Sequence, residues 1–568
     1  MKNRLAASLI ALACLSFSHF DPAYAQAIER HHPLLETERS APIIEPDAVP
    51  IDEDDTPIGP KLKSLAILSG NQSIKTAVVD GVDVSSVARL VAAQPAIEAD
   101  LNPFIGRPIS RKLIAQVEEV IARRYRRLGF PFVSLSTPEQ KISEGVLQVR
   151  VLEFSIGKVL TSNLPTGSIQ NVTDQIGLKP GDAIDARRLG KDLAWLNRYP
   201  FRSIQAVFTP SKTPGGADLI LSAQSSKPWR LYLGYDNSGS PSSTTDRYFT
   251  GGAVGDVFGR DSVVYLQLTS SRDALAGTEH PHYASEAISY SVPVSTDVQI
   301  EANFDHIEAN LPSGDFLFRQ KANEGALAIR FSAPFEFSAS SQSDIRLGLS
   351  AKQQKNVTLF GGETVSSLSA KEYGLLVGWH IQQQSYDAYF VGDLAIHASV
   401  NDADAGSQSQ TDPHATGGRA SYAYATLFLE HAQPISQYAR WKVQVSGQWS
   451  QQMLPRMDQN GLGGPTLVRG YSLDSGSFDS SLIVRNELQL TCPQSSCAKT
   501  SLFAFYDAGL GWYGQHNPAT KLTSVGVGAS HSIRDGSKID LTVARLLASG
   551  PEARAGDWKA AVSVSFRY

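Results

Sequence analysis

Arg469 is the residue whose surroundings most plainly call for a partner. It stands in GLGGPTLVRGYSLDS, residues 461–475, where four glycines and a proline separate two strand-like runs. Glycine populates backbone angles that other residues avoid, so such a loop can fold back closely on its surroundings. An arginine inside it carries five donors in a rigid fork and a charge that does not titrate away. Folded into a confined, partly desolvated place, the fork needs a carboxylate, since a buried charge without its partner is costly. The alternative is an exposed loop arginine facing solvent.

Few other groups have chemical potential. Cys492 and Cys497 in TCPQSSC predict a small local disulfide in an exported chain, and a metal there would lack a histidine ligand. The pair His31 and His32 suggests either a metal or proton site or polar residues on an exposed segment. The run Arg123, Arg124, Arg126 and Arg127 could suggest RNA, but without an aromatic stacking platform it reads as a solvated helix face. Ser, His and Asp in the loops form no catalytic constellation at motif spacing, and there is no phosphate loop. No catalytic residue, metal or cofactor is expected, and the chain is not expected to be an enzyme.

These groups must be positioned by a chain of 568 residues, 42% apolar and 19% charged, with net charge -5. That balance offers no basic field for nucleic acid. After the first twenty residues no apolar window reaches the roughly 18 residues a membrane helix needs. The start does carry a leader: a basic MKNR, an apolar LAASLIALACLSF and AYA before Gln26, which predicts cleavage after Ala25 and export. Cys14 as a lipid acceptor lacks the usual preceding box. Residues 26–61 hold a short helix candidate and the proline-rich, acidic APIIEPDAVPIDEDDTPIGP, an extended linker.

Two small α/β modules follow. In SRKLIAQVEEVIARRYRRLGF, Leu113, Val117, Ile121, Tyr125 and Leu128 recur at helical spacing, with Ser110 as N-cap and Gly129 as stop. PFVSLS and GVLQVRVLEF then alternate as strands. The second module repeats the order with SIGKVLTSN, a helix burying Leu189, Leu193 and Leu196, and a hairpin in SIQAVFTPSKTPGGADLILSAQ. The modules span 62–154 and 155–226.

From 227 to 568 the texture changes to weak alternating segments such as SVVYLQLTS, DIRLGLSAKQ, AYFVGDLAIHASV and WKVQVSGQWS. Short separators such as GRD and STD interleave with long polar ones such as NDADAGSQSQTDPHATGG, as periplasmic turns do with extracellular loops. Counting from Trp229 predicts about 16 antiparallel strands, with about 21 residues per strand and connection, enough for tilted spans. The final AAVSVSFRY puts Val562, Val564, Phe566 and Tyr568 on one face. The fold class expected is therefore an all-β transmembrane barrel preceded by two α/β domains.

This order resembles the two-partner secretion outer-membrane transporters, the haemolysin and filamentous-haemagglutinin secretion family, over nearly the whole mature chain. VRGY, residues 468–471, is similar to the family's loop tetrad, and FAFYDAG, 503–509, to its strand motif. The resemblance implies that Val468, Arg469, Gly470 and Tyr471 enter the lumen. They would face Phe505, Asp507 and Gly509 on the wall, with Arg469 meeting Asp507; Asp474, nearer in sequence, is the rival partner. It also implies periplasmic polypeptide-transport-associated (POTRA) domains, a plug candidate within 26–61, and Phe566 and Tyr568 as an assembly signal for the barrel-assembly machinery. The expected partners are an unfolded exoprotein in the periplasm and the outer-membrane lipid of a Gram-negative bacterium. An outer-membrane assembly factor of the same superfamily is the alternative, although that type usually carries more modules.

Overall fold

The computed structural model describes residues 53–568, apart from 77, 165, 226, 279, 296–297, 314–317, 338–340, 386–387, 404–417, 492–498, 514–519 and 534–535. The leader, His31, His32, most of the acidic segment, Cys492 and Cys497 therefore lie outside the described residues. The chain divides into two compact units, one holding the modules through Ser226, the other Lys227–Tyr568 together with Tyr199–Phe201.

In the first unit the strands are β1 (Pro57–Lys61), β2 (Ser64–Ser69), β3 (Gly81–Asp83), β4 (Pro108–Ser110), β5 (Val133–Ser136) and β6 (Val146–Glu153), and the helices α1 (Ala88–Val91), α2 (Gln94–Leu101) and α3 (Arg111–Leu128). The sheet order is β3-β2-β6-β5, with β2 parallel to both neighbours. The long helix α3 starts where Ser110 Oγ accepts the Leu113 N–H at 3.1 Å and ends at Gly129, whose φ of 92° only glycine adopts readily. It buries Leu113, Val117, Ile121 and Tyr125 against Leu65, Ile67, Leu147 and Val149. Two members of the basic run are paired, Arg124 with Asp100 of α2 and Arg126 with Glu119 of α3 itself at 2.7 Å.

A second sheet, order β7-β9-β8, joins β7 (Ser155–Ser162), β8 (Arg202–Pro210) and β9 (Gly216–Ser225). Helices α4 (Thr166–Gln175) and α5 (Ala186–Leu196) pack on it, α5 being capped by the Asp185 side chain, which accepts from the N–H groups of Arg187 and Arg188. Leu189, Leu193 and Leu196 meet Ile204, Leu219 and Leu221 in a separate core. The sequence reading lacked β1 to β4, α1, α2 and α4. β1 lies inside the stretch read as linker: Pro57 pairs with Ser110 and Lys61 with Pro108, in a two-stranded edge where prolines without donors are tolerated.

The second unit is a closed antiparallel barrel. Its first eight strands are β10 (Trp229–Asp236), β11 (Arg247–Gly255), β12 (Val263–Ser270), β13 (Tyr283–Ser295), β14 (Val298–Ser313), β15 (Phe318–Phe337), β16 (Ser341–Phe360) and β17 (Glu363–Gln384). The wall continues through β18 (Tyr389–Ala403), β19 (Gly418–Ser436) and β20 (Ala439–Ser450). After β20 the chain makes two short strands inside a loop, β21 (Asn460–Gly461) and β22 (Ser477–Phe478). It returns to the wall as β23 (Ser480–Thr491), β24 (Thr500–Trp512), β25 (Thr520–Ser532), β26 (Lys538–Leu546) and β27 (Trp558–Arg567). The wall therefore has 16 strands, as the alternation predicts.

Alternation sorts the two faces. Leu347, Leu349, Leu375 and Val377 are exposed outward, while Arg346, Lys352, Glu372 and His380 on the same strands are buried inward. Apolar out and polar in is the pattern lipid requires of a barrel. β10 closes on β27 from Tyr232↔Arg567 to Asp236↔Ser563, and the Tyr568 ring stacks on Trp229 at 5.7 Å. β16 and β17 run for 20 and 22 residues and turn at Gly361 and Gly362, both with positive φ.

Candidate pore loop

Between β20 and β23 the chain does not stay outside the barrel. Leu454, Met457, Leu462, Val468 and Tyr471 are all buried although none lies in a wall strand. The loop's side chains reach β16 and β19, then β23 and β24, then β25, and finally the connection after β10. One segment can touch such separated arcs only by crossing the interior. The stem is pinched by β21 pairing with β22, Asn460 opposite Phe478 and Gly461 opposite Ser477.

Arg469 is 7% exposed and Asp507 fully buried. The Arg469 Nε and Nη2 donate to the two Asp507 oxygens at 2.7 and 2.9 Å, and its backbone N–H donates to the same carboxylate at 3.2 Å. Its Nη1 donates to Glu487 on β23 at 2.6 Å, and the guanidinium lies 3.7 Å from the centroid of the Phe505 ring. A planar cation thus has a carboxylate on each edge and an aromatic face beneath it, an arrangement a lysine could not reproduce.

The glycines make this approach possible at particular points. A Cβ on Gly509 of β24 would lie 2.7 Å from Val468 Cγ2, so the wall glycine provides room for the first tetrad residue. Gly470, with φ of 90°, would carry a Cβ 2.8 Å from that of Ala544 on β26. Gly461, by contrast, has ordinary clearance, so its expected packing role is absent.

Tyr471 completes the tetrad. Its hydroxyl lies 2.9 Å from the Thr523 carbonyl and 2.6 Å from that of Ala548, joining β25 to the connection after β26. Tyr471→Phe keeps the ring's packing with Leu522 and Leu546 and loses the hydroxyl's bonds. We expect about 1 to 2 kcal/mol less barrel stability, read as a lower temperature of heat-induced migration change; an unchanged temperature excludes the bridge.

Asp474 is engaged elsewhere. Its carboxylate accepts from the Ser242 N–H at 3.0 Å and the Ser242 hydroxyl at 2.9 Å, so the rival partner ties the loop to the β10–β11 connection rather than to Arg469.

The sequence reading missed a second charged anchor and half of the first. Asp458, fully buried in the loop's ascending limb, accepts from Lys352 Nζ at 2.5 Å, Tyr422 OH at 2.5 Å and Tyr424 OH at 3.2 Å. Glu372 stands 3.8 Å from the same ammonium. No motif marks these residues, which lie on separate strands. Arg485 and Glu487 were more legible: spaced by two in LIVRNELQL, they share one face of a strand, and that face turns inward.

The family model for the haemolysin secretion/activation protein ShlB/FhaC/HecB matches residues 215–531. The heme/hemopexin transporter protein HuxB of Haemophilus influenzae is 23% identical over 470 residues, covering 79% of this chain and 80% of its own. The outer membrane transporter CdiB of Dickeya dadantii is 21% identical, covering 68% of this chain and 67% of its own. Among solved structures, CdiB from Escherichia coli superposes with a TM-score of 0.70 at 18% identity, covering 93% of this chain and 94% of that one, which shows a shared fold.

Proposed function

The chain belongs to the haemolysin secretion/activation family of ShlB, FhaC and HecB and is an outer-membrane transporter of exported proteins, and we propose the route its cargo takes. The modules at 62–154 and 155–226 are periplasmic POTRA domains that take up an unfolded partner exoprotein. An extended cargo segment adds to an open sheet edge such as β8, where Val207 is exposed, and main-chain hydrogen bonds give uptake without demanding one sequence. The chain then passes through the barrel and folds outside; that folding supplies the drive, since the periplasm offers no nucleotide.

The observation that carries this reading is the loop seated across the bore on Arg469, Asp507 and Glu487. A pore that passes an unfolded chain must be shut to small solutes when idle, and a displaceable loop does this. Around that core, Phe566 and Tyr568 serve the barrel-assembly machinery.

The test works whichever protein is the cargo. Deleting the transporter in the producing bacterium should remove one large protein from the surface and medium, and leave its unfolded form in the periplasm. Restoring the chain without residues 62–226 should not bring it back. General loss of outer-membrane proteins on deletion would instead indicate the assembly factor.

A further inference from the structure

Both loop anchors share a pattern. Arg485 on β23 and Asp507 on β24 are directly opposite residues of neighbouring strands, and so are Lys352 on β16 and Glu372 on β17. Opposite residues on one face keep their Cβ atoms about 5 Å apart whatever the loop does. Each anchor is thus a loop charge inserted into an opposite-charge pair of the wall itself. Arg469 takes Asp507 at 2.7 Å while Arg485 Nε stands off at 3.9 Å, and Asp458 takes Lys352 at 2.5 Å while Glu372 stands off at 3.8 Å.

The occupied state leaves a trace on Arg485. Its Nε is buried and has no hydrogen-bond partner among the described residues. Its terminal nitrogens hold the loop instead, Nη1 donating to the Thr466 carbonyl at 2.9 Å and to Gln444 Oε1 at 3.0 Å, Nη2 to the Pro465 carbonyl at 3.3 Å. The bonds to Pro465 and Thr466 vanish with the loop, at the moment Asp507 loses Arg469.

We propose that Arg485 is the wall's own replacement for Arg469: when the loop leaves the bore, Arg485 closes on Asp507, so the fully buried carboxylate is not stranded, while Glu487, which also loses Arg469, keeps the bond from Gln489 Nε2 at 2.7 Å. Glu372 does the same for Lys352 at the other anchor. The loop is therefore held strongly and yet displaceable, because the largest penalty of breaking a buried ion pair, an uncompensated charge, is removed by a neighbour already in register. Arg485 is a positioning residue in this scheme: it acts on the loop through Asp507.

The proposal rests on the loop filling the bore. The test records open bursts of the full-length barrel in planar bilayers in potassium chloride. In R485Q the release strands Asp507, and bursts become about tenfold rarer or more, a factor well within the cost of an unpaired buried charge. R485K keeps the charge but gives up the fork on the loop carbonyls, and opens more often than the parent. If Arg485 were only a clamp on Pro465 and Thr466, both variants would open more often; R485Q bursts more frequent than those of the parent overturn the proposal. Should R485Q fail to assemble, R485Q/D507N carries the test. With neither charge there is no Asp507 to strand, and the clamp on the loop carbonyls is gone, so the pair should assemble and open at least as often as D507N alone; a pair that opens less often, or does not assemble, also overturns it. Failure of the underlying reading is distinguishable. A chain lacking 461–475 that conducts no better than the parent removes the seated loop itself, whereas raised conductance with frequent R485Q bursts removes only the takeover.

Discussion

Arg469→Ala and Asp507→Ala are each expected to lower secretion of the partner exoprotein by about tenfold or more, and the double variant is expected to be less impaired than the two losses combined. Four charges meet at this point: Arg469 and Arg485 against Asp507 and Glu487. The set is balanced, so removing one member leaves an excess charge in a dry place, which costs about 3 to 5 kcal/mol where no neighbour compensates. Removing one of each sign restores the balance. Coupling between touching residues runs from about 0.5 to 3 kcal/mol, above the error of additivity for distant sites. Secretion is a rate, so the cycle is also run on barrel stability.

The four-charge set adds a condition the pair alone does not. Asp507→Ala leaves Arg469 with Glu487 at 2.6 Å, so Glu487→Gln should be far more harmful in the Asp507→Ala background than in the parent. Arg469→Asp with Asp507→Arg should restore function only in part, because the reversed pair places two wall arginines side by side at Arg485 and position 507. Independent effects in both assays would falsify the contact as the loop's main attachment.

What the sequence made legible follows from the range of the signals. Ser110 and Gly129 mark the ends of α3 because capping is local, settled within four residues by a hydroxyl and a left-handed φ. Barrel strands reveal themselves by alternation, because lipid sorts every second side chain outward. β2 stayed hidden since SLAILS is buried on both sides as a parallel strand and shows no alternation. In α4, TGSIQNVTDQ is mostly polar, and its main apolar anchor, Val172, takes meaning only from the sheet beneath it.

The candidate site divides in the same way. The tetrad and the aspartate strand are contiguous stretches, so they can be read from sequence alone. The Asp458 anchor is assembled from residues 352, 372, 422, 424 and 458, and its chemistry comes from register between strands rather than from spacing within one. A buried lysine between two carboxylates has no linear signature. What could have drawn attention to it is polarity at inward positions: Lys352 and Glu372 sit on strands whose outward residues include Leu347, Leu349, Tyr373 and Leu375.

Removing residues 461–475 should produce the largest change in conductance of any single alteration to this barrel that leaves the wall intact. The deleted stretch carries Arg469, Tyr471 and Asp474, which attach it to β24, to β25 and to the β10–β11 connection. Val468 and Leu462 go with it, vacating the space above Gly509 and Gly511. The cut is geometrically mild because its ends are already joined: Asn460 pairs with Phe478 across the stem. The ascending limb stays, still held by Asp458 on Lys352, so the bore should not reach the conductance of an empty barrel. Adding Asp458→Asn to the deletion should therefore raise conductance a second time, while Asp458→Asn alone, with Arg469 still seated, should raise it little. This order of effects, measured in planar bilayers on barrels of normal heat-modifiability, makes Arg469 the principal attachment and Asp458 the secondary one. Equal conductance in the deletion and the parent would mean that the loop does not obstruct the path of ions at all, and the closed state would have to be sought in the segment before residue 53.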